Sequence, residues 1–205
     1  MPNQSGGVYG LTILSPIKQD PHLKISHSLA IRMYLQRLPQ DRRSPFARVS
    51  STHMARLVVM DDVVYVGSPA CEEHLQAQYL VFESNFDGDL DTYLRQMVRE
   101  APKEVDAVWQ HCDGYPGLAD PGQFVRYMKR CQIETTFYFA DVNDKTVQQT
   151  LRALQTQSAV AAFIEKNQGR PAAELQKAFL GVARALRNAP APNPGNAIGR
   201  EFADE

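Results

Sequence analysis

A chain of 205 residues can build one sizeable core or two very small ones, and 43% hydrophobic against 22% charged residues is folded-protein composition. Lysine and arginine total 22 against 23 acidic residues, a balance that leaves no electrostatic footprint for DNA, RNA or an anionic membrane surface. Cys71, Cys112 and Cys131 are odd in number and lack C-x-x-C spacing, which argues against a disulfide framework and a zinc site. Residues 1–7 lack the basic-then-apolar layout of a secretory signal, and no window approaches the ~20 apolar residues of a membrane span, so a cytoplasmic location is expected.

Residues 8–14 are short, β-rich and bounded by Gly7 and Pro16, the pattern of a strand. Over 23–38, Leu23, His27, Ala30-Ile31, Tyr34-Leu35 and Leu38 recur at three- and four-residue spacing, predicting an amphipathic helix that stops at Pro39. Residues 51–60 form the strongest strand pattern, running into an Asp61-Asp62 turn, with 63–66 as a continuation of the ribbon. A polar loop from Gly67 leads to a strand over 78–84. Leu90, Tyr93-Leu94, Met97-Val98 and Ala101 then give a helix a buried stripe ending at Pro102.

A short helix is expected over 105–112, followed by the turn-rich Asp113-Gly114-Tyr115-Pro116-Gly117. Asp120-Pro121 opens a helix with proline at its first position, running towards Cys131. The alternation of Ile133, Thr135, Phe137 and Phe139 predicts a fourth strand over 133–140. Asn143 or Asp144 can cap a helix through Leu154, and helical patterns follow over 159–166 and 172–187. The proline-rich 188–205 has neither periodicity nor apolar mass and reads as a disordered tail after a single domain over 1–187.

The order of elements matches an α+β, ferredoxin-like (split βαβ) antiparallel sheet with additional helices. Helices would cover one sheet face. The other face needs a second copy, the extra helices or a ligand.

Strict alternation along 52–60 puts His53, Ala55, Leu57 and Val59 on one face and Met54, Arg56, Val58 and Met60 on the other. His53 and Arg56 therefore share a pocket only if a bulge intervenes. Both faces are otherwise apolar, which suggests a central strand covered on both sides. In an antiparallel hairpin the end of the next strand lies beside the start of this one, so Asn85 and Asp87 should approach His53. Two readings stand side by side. His53, Arg56 and Asp87 form an acid–base or anion-binding set with Asn85 as a ligand contact. Alternatively His53 is a core histidine hydrogen-bonded to backbone, Arg56 makes a structural salt bridge, and Asp87, Asp89 and Asp91 serve a helix N-terminus.

Trp109, His111, Tyr115 and Tyr138 are further ligand-binding candidates as pocket walls; packing in the core is the competing role. His111 and Cys112 diverge on a helix and make no nucleophile–base dyad. No Walker loop, G-x-G-x-x-G, G-x-S-x-G or H-E-x-x-H is present.

Three segments taken together, Thr52-His53-Met54-Ala55-Arg56, Ser84-Asn85-Phe86-Asp87-Gly88 and Trp109-Gln110-His111-Cys112-Asp113-Gly114-Tyr115, resemble a group of uncharacterised bacterial proteins with a His-Phe-Ala-Arg strand and an Asn-Tyr-Asp-Gly turn. That group is similar to the dimeric α+β barrel superfamily, which includes dye-decolourising peroxidases. The resemblance spans roughly residues 8–165. The peroxidases carry a Gly-x-x-Asp-Gly motif beside their haem, and here Ser84 stands at its first glycine. The resemblance implies a homodimer, a small-molecule or haem cofactor on the open sheet face and redox or oxygen chemistry. His53 would be the acid–base group or iron ligand, and Arg56 would orient an anion. The competing expectation is a non-catalytic, self-associating binding module.

Overall fold

The computed structural model describes residues 3–68, 71, 73–190, 192 and 194. Its elements are β1 (Gln4–Ser5), β2 (Val8–Pro16), α1 (His27–Leu35), α2 (Pro45–Arg48), β3 (Thr52–Met60), β4 (Tyr79–Asp87), α3 (Leu90–Glu100), α4 (Pro102–Trp109), α5 (Pro121–Arg130), α6 (Val147–Lys166) and α7 (Ala172–Asn188). The fold is α+β, with one four-stranded antiparallel sheet in the order β1-β2-β4-β3.

Period-two patterning decides which face the helices cover. Along β4, Leu80, Phe82, Ser84 and Phe86 are buried, while Tyr79, Val81, Glu83, Asn85 and Asp87 are only partly so. Leu11 and Ile13 of β2 join the buried set, and α3, α4 and α5 close over it with Tyr93, Leu94, Met97, Trp109, Phe124 and Met128. Aromatic packing holds this layer together: Phe86 stacks on Tyr93 at 3.7 Å between ring centroids, and Trp109 meets Phe82 and Phe124 edge-on at 5.4 and 6.2 Å.

Proline and side-chain caps set several helix boundaries. Ser26 caps α1 by accepting from Leu29 N, so the helix starts four residues later than the apolar spacing suggests. Pro102 ends α3 and at the same time opens α4 at N1, which moves α4 forward to Pro102–Trp109. The first two of the three helical patterns after residue 143 are one helix, α6. Thr146, not Asn143 or Asp144, caps it in a reciprocal capping box with Gln149.

Three expectations about strands are overturned. The strand β3 is not central: it is the outer strand of the sheet, and Met54 and Val58 are 54% and 44% exposed on the face away from the helices. Residues 63–66 do not extend it; Val64 and Val66 stand 87% and 81% exposed. Residues 133–140 form no strand. Leu14 N donates to Cys131 O and Ile133 N to Thr12 O, and there the ladder stops. Asn3 takes over the β2 edge, bonding Gly10 through its backbone and side chain, and its amide also meets Thr135. Gln4 and Ser5 then pair with Tyr9 and Val8. The β2 edge has a single row of donors and acceptors, and the N-terminal segment occupies it.

The helices α6 and α7 make an antiparallel hairpin joined by Phe163 against Phe179 at 5.6 Å. Only Val147 of these two helices is buried. The helix α7 runs to Asn188, one residue past the expected domain end. Most of the expected disordered tail lies outside the described residues. No helix among the described residues is long and apolar enough to cross a membrane.

Candidate functional site

His53 occupies a β-bulge. The register passes from Thr52 opposite Phe86 to Met54 opposite Asn85, leaving His53 as the extra residue. Thr52 remains on the helix side, its hydroxyl near Tyr93 Oη, which in turn meets Ser84 Oγ at 2.7 Å. The bulge lets His53 depart from the alternation that would place it beside Ala55, and its ring reaches Asp87 on the neighbouring strand. The His53 Nε2 to Asp87 Oδ1 distance is 2.7 Å, with the two side chains 24% and 17% exposed.

The second oxygen of Asp87 accepts from Val147 N at 2.8 Å, the first residue of α6. Asp87 thus serves a helix N-terminus, though that of α6 rather than of α3. Asp89 is the cap of α3 through Thr92 N, a contact that holds its carboxyl below the usual range. Asp91 pairs with Lys129. Asp87 meets His53 and the α6 N-terminus at once, because a carboxylate has two acceptor oxygens.

A cavity of about 420 Å³ opens along the outer edge of β3, beneath the connection from α1 to α2. His53 and Met54 of β3, Leu38 and Phe46 of the α1–α2 region and Pro194 of the C-terminal segment are among its lining residues. Asp87 is not part of the wall; it stands behind His53. With Nε2 committed to Asp87, Nδ1 is the nitrogen left for a ligand. Sequence reasoning missed the wall residues Pro39, Gln40, Asp41, Ser44, Pro45, Phe46 and Ala47, whose mixed composition signals only a connection.

The other candidates lie elsewhere. Arg56 is directly opposite Glu83 and ion-paired with it on the open sheet face, where it is 65% exposed. Asn85 shares that face, between Gly10 and Met54. Tyr138 lies over Gly10: a Cβ at residue 10 would come within 2.6 Å of its ring, so only glycine permits the approach.

Trp109, His111 and Tyr115 belong to the helix layer near the opposite end of β2, where Asp113 N bonds Pro16 O. Val8 pairs with Asp87 and Pro16 with Tyr79, so the two ends are eight residue steps, about 26 Å, apart. Trp109 is buried in the core, and Tyr115 donates to Asp106 while packing on Phe124 and Tyr127. His111 Nδ1 meets His27 Nδ1 at 2.9 Å, a pairing across 84 positions that spacing could not reveal. Burial first, then His27 and Lys18, hold the His111 ring below the usual imidazole range. Burial also pushes the Cys112 thiol up to about 12, which leaves it a poor nucleophile.

The Nε2 of His53 is bound to Asp87, the imidazoles of His27 and His111 face each other, and Arg56 is already bound by Glu83. Among the described residues, no group of three or more His, Cys, Asp or Glu side chains is placed to hold a metal ion. The arrangement at His53 offers proton transfer: Asp87 can accept the Nε2 hydrogen and orient the ring, while Nδ1 takes or gives a proton at the cavity. No family model, curated protein or solved structure matches the chain.

Proposed function

We propose that this protein binds a small molecule in the cavity beside β3 and presents His53 to it as an acid–base group, with Asp87 as the positioning residue. The observation that carries the reading is the 2.7 Å contact between His53 Nε2 and Asp87 Oδ1 directly behind a cavity wall. A cavity of about 420 Å³ falls within the range of small-ligand sites. A neutral His53 has its Nδ1 lone pair available as a base. Once protonated, it is an imidazolium whose charge Asp87 offsets. Such a pair suits removal of a proton from the ligand or from a water beside it.

A fragment screen by NMR, followed on the His53 ring and the Phe46 side chain, tests this. Hits should perturb both residues and should bind more weakly to His53→Gln. Hits confined to other surfaces would sink the proposal.

A second reading rests on the uncovered sheet face. The connectivity of β2, α1, β3, β4 and α3, with β4 between β2 and β3, supports a ferredoxin-like arrangement in which 131–140 stands at the place of the last strand. Met54, Val58, Phe137 and Phe139 leave apolar surface exposed on or beside this sheet, and the Arg56–Glu83 pair between β3 and β4 carries both charges, so it can meet its own copy across a twofold axis. Homodimerisation through this face, as in a dimeric α+β barrel, would bury it. Light scattering should report a dimer that Val58→Asp dissociates; a monomer at high concentration in the wild type would refute it.

A further inference from the structure

A second cavity, of about 390 Å³, adjoins the His53 cavity; the two have Ala47 and Pro194 in common as wall residues. Its chemistry differs. The first is walled largely by Leu35, Leu38, Phe46, Met54 and Leu57, and beside His53 it holds the carboxylate of Asp41, already chelated by Arg43. The second has Arg42, Arg48, Ser50 and Gln148 on its walls.

The charges there are partly balanced. Glu100 also lines the cavity but is paired with Arg99, and Arg48 bonds Glu104 at 2.6 Å. A guanidinium has five N–H donors, so one carboxylate does not exhaust Arg48. Arg42 makes no ion pair among the described residues and acts on Asp41 only as a neighbouring charge. Roughly one positive charge is left uncompensated, with the hydroxyl of Ser50 and the amide of Gln148 beside it.

Resting on the reading of the His53 cavity given above, we infer that its ligand is an amphiphilic organic monoanion. The apolar body lies against Leu38, Phe46 and Met54 with a polarised group at His53, and a carboxylate reaches past Ala47 to Arg42 and Arg48. A carboxylate fits better than a phosphate ester, because one uncompensated cation matches one negative charge.

Octanoate, octanamide and octyl phosphate serve as probes, titrated into the full chain with the His53 ring and the arginine Nε–H signals as readouts. Octanoate should bind at least tenfold tighter than octanamide and no more weakly than octyl phosphate. Arg42→Gln should remove most of the octanoate advantage, as should Arg48→Gln, while Arg48→Lys should restore part of it. Equal binding of octanoate and octanamide, with both shifting His53, overturns the inference and leaves the cavity reading standing. An octanoate preference that survives both glutamine variants also overturns it, as does tighter binding of octyl phosphate. If none of the three shifts His53, the cavity reading falls together with the inference.

Discussion

At the Val8 end of the sheet an imidazole meets a carboxylate; near the Pro16 end an imidazole meets another imidazole. Both contacts are shorter than 3 Å and both join elements far apart in sequence, His53 to Asp87 and His27 to His111. Their responses to a proton are opposite. Asp87 can face a neutral or a charged His53 with a favourable hydrogen bond in either state. Two facing Nδ1 atoms can share one proton, because one must donate and the other accept; a second proton sets two donors and two charges against each other. The first pair is suited to proton traffic beside a cavity, and the second fastens α1 to the end of α4 only while it stays short of protons.

The largest test of this contrast is at the Trp109 side. Trp109→Ala removes a buried ring next to the His111 turn and should cost about 3–5 kcal/mol in denaturant unfolding. If that region is structural, ligand contacts at His53 should persist wherever the variant remains folded. Loss of stability under about 1 kcal/mol would break the assignment of this end to the core.

Asp87→Asn should cost about 1–3 kcal/mol, since the amide cannot serve both His53 and Val147 N as a charged acceptor. A double-mutant cycle with His53→Gln should show coupling of about 0.5 kcal/mol or more; strict additivity would mean that the contact has no energetic content.

The imidazole pair predicts a smaller effect confined to acid. His111 is held below the usual imidazole range in the folded chain, so the unfolded chain takes up a proton first as pH falls through about 6.5. Its contribution is therefore complete above that pH and declines as pH drops towards the lower value of the folded ring. Melting temperatures of the wild type should fall more steeply between pH 7 and 5 than those of His111→Asn. Parallel slopes would remove His111 from the account.

Arg56→Gln should be nearly silent, within about 0.5 kcal/mol, because its bond to Glu83 lies on an exposed face. A large loss would show that this face is covered in solution and would favour self-association.

Much of the fold was legible from patterning. The buried alternation of Leu80, Phe82, Ser84 and Phe86, the stripe of α3 and the proline start of α5 follow from period-two and period-3.6 spacing and from proline's missing donor. So was the nearness of the Asp87 end of β4 to the His53 end of β3, which follows from pairing the two strands antiparallel, although the ring contact itself needs the bulge. Local pattern also determined that His53 and Arg56 would part company without a bulge.

Tertiary structure decided the rest. The bulge at His53 shows no marker such as glycine in the sequence. Asn3 and β1 hold the β2 edge in place of residues 133–140, because competition for one row of backbone groups is settled by which segment the fold delivers there. Asp87 reaching Val147, His27 reaching His111 and Arg42 standing beside a cavity next to His53 are long-range meetings. Periodicity reports which side of its own element a residue occupies, and it holds no information on what another element brings to that side.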